Sequence, residues 1–216
     1  MAIGKTAASL ILAGAAVLSA AQFPVRHEHI KWFCDGTLTV DENGVSFQGP
    51  KKHAWRWKFE DIQEFKLGPE GVTVLTYKDN RWRLGADRVY RFTGKVPAEE
   101  IYALLRDRLD QRFIAEIGVP TETPAYTLPV KHLGTIAGSE GILAFGSDLV
   151  VYTTPSRGQS RTWRYSDIEN ISSSGRFQLT LTTLEKGFNF ELKQPITEAR
   201  YNRLWLDIQK KNGRIQ

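Results

Sequence analysis

One cysteine, Cys34, and one methionine stand among 216 residues, so no intramolecular disulfide is available and a disulfide-stapled small scaffold is excluded. Charge of one sign is scarcely in excess. Basic side chains number 29 against 24 acidic ones, a formal +5, and both signs are mixed along most of the chain. A dedicated nucleic-acid module gathers Lys and Arg on one stripe or helix, so no nucleic-acid partner is expected. Catalytic signatures are missing too: there is no Gly-x-Ser-x-Gly elbow, phosphate-binding glycine loop or His-Glu-x-x-His helix. Glu99-Glu100 suits the first turn of a helix better than paired acid–base work. The chain is therefore expected not to be an enzyme and to need no cofactor. With 41% hydrophobic and 25% charged residues, it does have the composition to bury a core.

The N-terminus carries Lys5, then an apolar small-residue run from Ala7 to Leu18, then Ser19-Ala20-Ala21 before Gln22 and Pro24. A basic start, a short apolar stretch and a small-x-small site make a secretory signal over residues 1–21, cleaved near Ala21. The alternative is a retained anchor, for which the run falls short of the roughly 20 apolar residues that span a bilayer. The expected location is exported, periplasmic or extracellular. Cys34 lies too far past the cleavage site to be a lipoprotein's acylated cysteine, and reads as a small buried hydrophobe.

An internal repeat organises the rest. Leu38, Val40, Val45, Phe47 and Pro50 answer to Leu143, Phe145, Val150, Tyr152 and Pro155 at a constant offset of 105. Trp57-Lys58-Phe59-Glu60-Asp61-Ile62 then matches Trp163-Arg164-Tyr165-Ser166-Asp167-Ile168, and Val72 and Val74 are set against Phe177 and Leu179. A period this long means a duplicated domain, since solenoid units are far shorter. Within each copy the pattern is strand: apolar and polar residues alternate, and Asp41-Glu42-Asn43-Gly44 is a hairpin turn. Asp61 and Asp167 are expected to bond the backbone of an adjoining turn while Ile62 and Ile168 pack inward. A helix ends each copy: Ile101, Leu104, Leu105 and Leu109 follow Pro97, and Tyr201, Leu204, Trp205 and Ile208 follow Thr197 as N-cap. The first copy carries about five extra residues between Lys78 and Arg91.

Gly36-Thr37-Leu38-Thr39-Val40, Gly44-Val45-Ser46-Phe47 and Trp57 to Glu64 resemble the bacterial pleckstrin-homology-like and GRAM-type pattern, and Gly141 to Tyr152 with Trp163 to Asn170 looks like a second instance. The stretch Tyr77 to Arg88 is similar to uncharacterised exported bacterial proteins of that type. The resemblance implies a mainly β (α+β) chain of two tandem PH-like barrels or sandwiches, each closed by one helix. The expected divisions are 22–117, a linker at 118–128, and 129–216. Phosphoinositide binding does not come with it, because Thr37 to Phe47 holds no Lys or Arg and includes Asp41 and Glu42.

Two candidate sites remain. From Lys51 to Arg91 ten basic residues face six acids. Hairpin tips bringing Lys51, Lys52 and His53 beside Arg81, Trp82 and Arg83, with Arg56 and Lys58 on the neighbouring strand, would form a cationic, partly aromatic patch for phosphate or carboxylate groups. A solvated charged strand face is the plainer reading. His27 and His29 share one face if their segment is a strand, and with His53 or Cys34 they are the residue types that ligate zinc. Four converging ligands are needed, however, and the second copy offers only His132. Ordinary half-buried histidines are the simpler account, and no metal is expected. The expected function is a protein- or peptide-interaction module. The alternative is peripheral binding to anionic envelope lipid through residues 51–91, and a small-ligand carrier ranks third because it needs one continuous cavity.

Overall fold

The computed structural model describes residues 20–29, 31–50, 53–80, 83–119, 123–134 and 137–215. Most of the signal-like segment, residues 1–19, lies outside them; Ala20 and Ala21 are the first residues of a strand, and Ala21 is buried. The first half of the chain forms β1 (Ala20–Glu28), β2 (Phe33–Asp41), β3 (Gly44–Gln48), β4 (Ala54–Lys58), β5 (Ile62–Gly68), β6 (Gly71–Asp79), β7 (Asp87–Thr93), α1 (Ala98–Leu105) and a three-residue β8 (Phe113–Ala115). The second half forms β9 (Tyr126–Leu133), β10 (Ser139–Phe145), β11 (Leu149–Thr153), β12 (Arg161–Arg164), β13 (Ile168–Ser172), β14 (Gln178–Thr183), β15 (Gly187–Leu192) and α2 (Glu198–Lys211).

The strands do not make two separate closed units. They form one 15-stranded mixed sheet in the order β13-β14-β15-β9-β10-β11-β12-β8-β5-β6-β7-β1-β2-β3-β4, open at β4 and β13. This corrects the expectation of two tandem domains each closed by a helix. The cause is β8, a strand of three residues between α1 and the glycine- and proline-containing stretch that follows. It runs parallel to β5, with Leu67 registered on Ala115, and antiparallel to β12, with Thr162 registered on Ala115. Glu116 N–H donates to Leu67 O at 2.7 Å, and the Thr162 hydroxyl donates to Ile117 O at 2.8 Å. All three β8 residues are buried, so their backbone groups need partners, and the two flanking edges supply them. The second half begins earlier than expected, since β9 starts inside the expected linker.

The duplication survives within the single sheet, because the strand order β5-β6-β7-β1-β2-β3-β4 recurs as β13-β14-β15-β9-β10-β11-β12. Each half has its own core. Leu38, Val40, Val45, Phe47, Trp57 and Ile62 lie in one cluster and their counterparts Leu143, Phe145, Val150, Tyr152, Trp163 and Ile168 in the other. Gly36 and Gly141 are matched for a shared reason: a Cβ at either would come within 2.6 Å of the ring of Phe47 or Tyr152. One sequence match slips by two residues. Phe65 pairs with Val74 and Ile171 with Leu181, so Val74 answers to Leu181 and Phe177 stays exposed outside the strand. A slip of two keeps every side chain on its face, so alternation alone does not register it.

Local signals act as expected at several ends. Asp41 accepts from the N–H of Asn43 at 2.7 Å and of Gly44 at 3.0 Å, closing the β2–β3 turn. Asp61 and Asp167 accept from the N–H of Lys58 and Arg164 and cap the short 3-10 turns Phe59–Asp61 and Tyr165–Asp167. Thr197 caps α2 by accepting from Arg200 N–H. By contrast α1 stops at Leu105, one turn before the apolar spacing ends at Leu109. The carbonyls of Arg106, Leu109 and Asp110 are taken instead by the guanidinium of Arg164 from the second half. These are carbonyls that a longer helix would have used or left to water.

Candidate functional site

The basic segment is split by the strand that carries it. In β4, Trp55 and Trp57 turn toward the core while Ala54, Arg56 and Lys58 are exposed, as the two-residue period requires. His53 precedes the strand and sides with the tryptophans: its ring lies 5.8 Å from that of Trp55, 5.4 Å from His29 and 5.2 Å from Trp32. His53 therefore does not join Arg56 and Lys58 in one patch. Lys58 pairs with Glu60 at 3.2 Å with both side chains largely in water, an arrangement that contributes little to stability. Arg83 is exposed in the β6–β7 connection, its N–H donating to Asn80 O at 3.2 Å. Lys51, Lys52, Arg81 and Trp82 lie outside the described residues.

The backbone of β4 is the more informative feature. Lys58 N–H turns to Asp61 rather than to β3, and Gly49 N–H donates to His53 O at 2.7 Å. Alternation in an antiparallel ladder then leaves the N–H and C=O of Ala54 and Arg56 pointing away from β3. Among the described residues no further strand pairs there, so these groups form an open edge of the described sheet.

A second site assembles at the end of the β1–β2 hairpin. His27 and Cys34 face each other across the ladder, and the intervening loop folds His29 over them, with His29 N–H donating to Trp32 O at 2.9 Å and the two rings stacked at 3.6 Å. His27 Nδ1 lies 3.0 Å from His29 Nε2, His29 Nε2 lies 3.3 Å from Cys34 Sγ, and Cys34 Sγ lies 3.8 Å from His27 Nδ1. His27 is 5% exposed, boxed by Phe47, Trp55, Tyr90 and Phe92. Burial, reinforced by His29, His53 and Arg88, pushes its pKa down to about 4. Burial first, then His53 and Arg88, also lowers His29, and burial followed by Asp35 raises the Cys34 thiol. Around neutral pH both imidazoles thus keep lone pairs free to coordinate. The sequence contained the residue types; their convergence depends on the β1–β2 register and on the loop fold, which periodicity does not specify.

The second half is built differently at the same place. His132 faces Ser139 in the register that His27 and Cys34 use, but Gly134 stands where His29 would be. The Tyr152 hydroxyl, absent from its counterpart Phe47, bonds Ser139 Oγ at 2.8 Å and Ser139 O at 2.7 Å. His132 keeps a pKa below its ordinary value through burial, then Lys186 and Arg161. An unfolded chain takes up this proton near pH 6.5, before the folded one does, so the stability contributed here is present above that pH and lost below it. Replacing His132 with phenylalanine is expected to flatten the fall in urea midpoint between about pH 7 and pH 5. An unchanged acid slope would show that His132 does not contribute.

A crevice of about 200 Å³ lies on the first half, lined by Lys66, Glu70, Thr73, Arg91 and Glu116 and reached from the second half by Gly158 alone, smaller than the roughly 300–1,000 Å³ of small-molecule sites. No protein-family model matches the chain, and no curated protein does. Among solved structures, the C-terminal domain of an unknown protein from Leishmania infantum is similar at 14% identity over 40% of this chain and 84% of that one, with a TM-score of 0.33. The Spt16D Pob3N heterodimer is similar at 12% identity over 76% of this chain and 83% of that one, also with a TM-score of 0.33. Likenesses this remote assign neither a fold family nor a partner.

Proposed function

We propose that this chain is a non-enzymatic recognition protein that acts after export and takes up an extended, acidic peptide segment as an added strand on β4. The observation that carries the reading is the open edge: Ala54 and Arg56 present N–H and C=O groups that pair with no strand among the described residues, at the end of the sheet. Backbone bonds along such an edge supply affinity, and side chains flanking it supply preference. Here the flanking side chains are Arg56 and Lys58, exposed on the outer face, which favour carboxylates on the incoming strand. An edge so exposed invites pairing unless charge blocks it, and these two cations repel basic strands while admitting acidic ones. The export component rests on the signal-like segment at residues 1–21.

Arg56→Pro tests the reading directly. Proline removes the outward N–H without touching the ladder to β3, a position where sheets tolerate it. Tryptophan fluorescence titration with an extended peptide of alternating valine and glutamate is expected to show saturable binding to the native protein and at least a 10-fold loss in Arg56→Pro. Arg56→Gln is expected to weaken binding less and to reduce its salt sensitivity. Equal binding by the native protein and Arg56→Pro would overturn strand addition. Salt-sensitive sedimentation with anionic vesicles, in place of peptide binding, would mark a lipid surface as the ligand instead.

A further inference from the structure

We propose that His27, His29 and Cys34 hold a zinc ion, with His53 as its fourth ligand. The inference is independent of the peptide-binding reading. Three donor atoms converge with separations of 3.0, 3.3 and 3.8 Å. With metal–nitrogen bonds of about 2.05 Å and a metal–sulfur bond of about 2.3 Å, these edges subtend angles of about 94°, 99° and 122° at a common centre, near the tetrahedral value of about 109°. Their sum is less than a full circle, so the ion stands off the plane of its three ligands and keeps one position open. Hydrogen bonding accounts for the cluster less well. His29 Nε2 has one lone pair or one proton, yet it lies within reach of both His27 Nδ1 and Cys34 Sγ.

His53 stands beside the set: its ring nitrogens lie outside the group of donor atoms that converge within 4.8 Å, so a side-chain rotation has to bring it to the open position. Its ring centre is 5.4 Å from that of His29, and its Nδ1 is shielded from water with no hydrogen-bond partner among the described residues. A buried, unpartnered imidazole nitrogen is costly unless something occupies it. Nitrogen and thiolate donors in a four-coordinate arrangement suit zinc, and binding releases the Cys34 thiol proton to solvent. The second half supplies a built-in contrast: serine replaces the cysteine, glycine replaces His29, and a tyrosine hydroxyl bonds the serine. One copy of the duplicated scaffold thus ties its serine to a tyrosine and leaves His132 Nδ1 buried without a partner among the described residues, where the other has three convergent ligands.

The full chain, stripped with chelator and kept reduced, is expected to bind one zinc ion in calorimetric titration. Cobalt(II) in its place is expected to give the intense visible bands of a tetrahedral ion and a sulfur charge-transfer band in the near ultraviolet. His29→Gly/Cys34→Ser, which copies Gly134 and Ser139, is expected to lose at least about 100-fold in affinity and the charge-transfer band; His53→Gln is expected to lose about 10–100-fold. Circular dichroism checks that each variant folds, and Cys34→Ser alone serves if the double variant does not. Stoichiometric binding retained in the ligand variants, or a pale octahedral cobalt spectrum in the native protein, would overturn the site. Unchanged affinity in His53→Gln would overturn the four-ligand assignment.

Discussion

Replacing Arg164 with methionine is expected to cost about 3–5 kcal/mol of stability at neutral pH, the range for breaking a buried ion pair by removing one partner. Arg164 and Asp167 expose only 12% and 11% of their side chains, and Arg164 Nη2 lies 2.6 Å from Asp167 Oδ1. The same guanidinium donates to Leu109 O at 2.6 Å, to Asp110 O at 2.9 Å and to Arg106 O. Methionine fills the volume but leaves a buried carboxylate without its cation and three carbonyls without their donor. The loss should shrink with acid. Burial already holds the Asp167 carboxyl above its usual range despite the favourable Arg164 contact. A folded pKa above the unfolded one means that the native state binds the proton more tightly, so this group costs stability as pH rises through that interval. Removing Arg164 extends the interval upward. Urea unfolding at pH 7 and pH 4.5 is expected to show a smaller penalty at the lower pH; a penalty below about 1 kcal/mol at both would mean that the pair is not structurally coupled.

Ala115→Pro is expected to divide one cooperative unfolding transition into two. Ala115 is the β8 residue registered with Thr162 of β12, and its neighbours Ile114 and Glu116 face β5, as the bond from Glu116 N–H to Leu67 O shows. Proline removes the donor on the β12 side of a strand with three residues and so forfeits a ladder hydrogen bond that nothing nearby replaces. Each half keeps its own core cluster, so it is the coupling between them that should fail. Further polar contacts across the junction include Arg106 with Asp148 at 2.8 Å, Arg161 with Glu116 at 2.8 Å, Gln111 with Ser166 O at 2.8 Å, and the Arg164 bonds to the carbonyls of Arg106, Leu109 and Asp110. Calorimetry of the native protein should give one transition and of the variant two. A single transition in the variant at reduced temperature would mean that these polar contacts suffice to couple the halves.

The residues 27–34 show how far local pattern carries. Alternation puts His27 and Cys34 on inward faces, since a strand has only two sides, and the hairpin sets them opposite each other. Nothing in that alternation brings His29 back across the loop or turns His53 toward it, because those placements depend on Trp32 and Trp55 as packing partners. The basic segment shows the converse limit. A candidate patch that joins His53 to Arg56 and Lys58 is compatible with the sequence, yet adjacent strand residues face opposite sides, and β4 separates His53 from Arg56 and Lys58.

The sequence by itself determined the duplication, the alternation of its strands, the Asp41 turn, the Asp61 and Asp167 caps and the Thr197 N-cap. Each of these depends on residues within a few positions of one another, where backbone geometry and side-chain chemistry leave few choices. The tertiary structure alone decided that two halves share one sheet, that α1 yields its last carbonyls to Arg164, and that two histidines and a cysteine meet at one point. The sheet junction and the Arg164 contacts join residues some 50 positions apart, and the meeting of His27, His29 and Cys34 needs a loop fold as well as a strand. Such outcomes follow from which edges and surfaces are left unsatisfied once local structure has formed, a competition that no single stretch of sequence encodes.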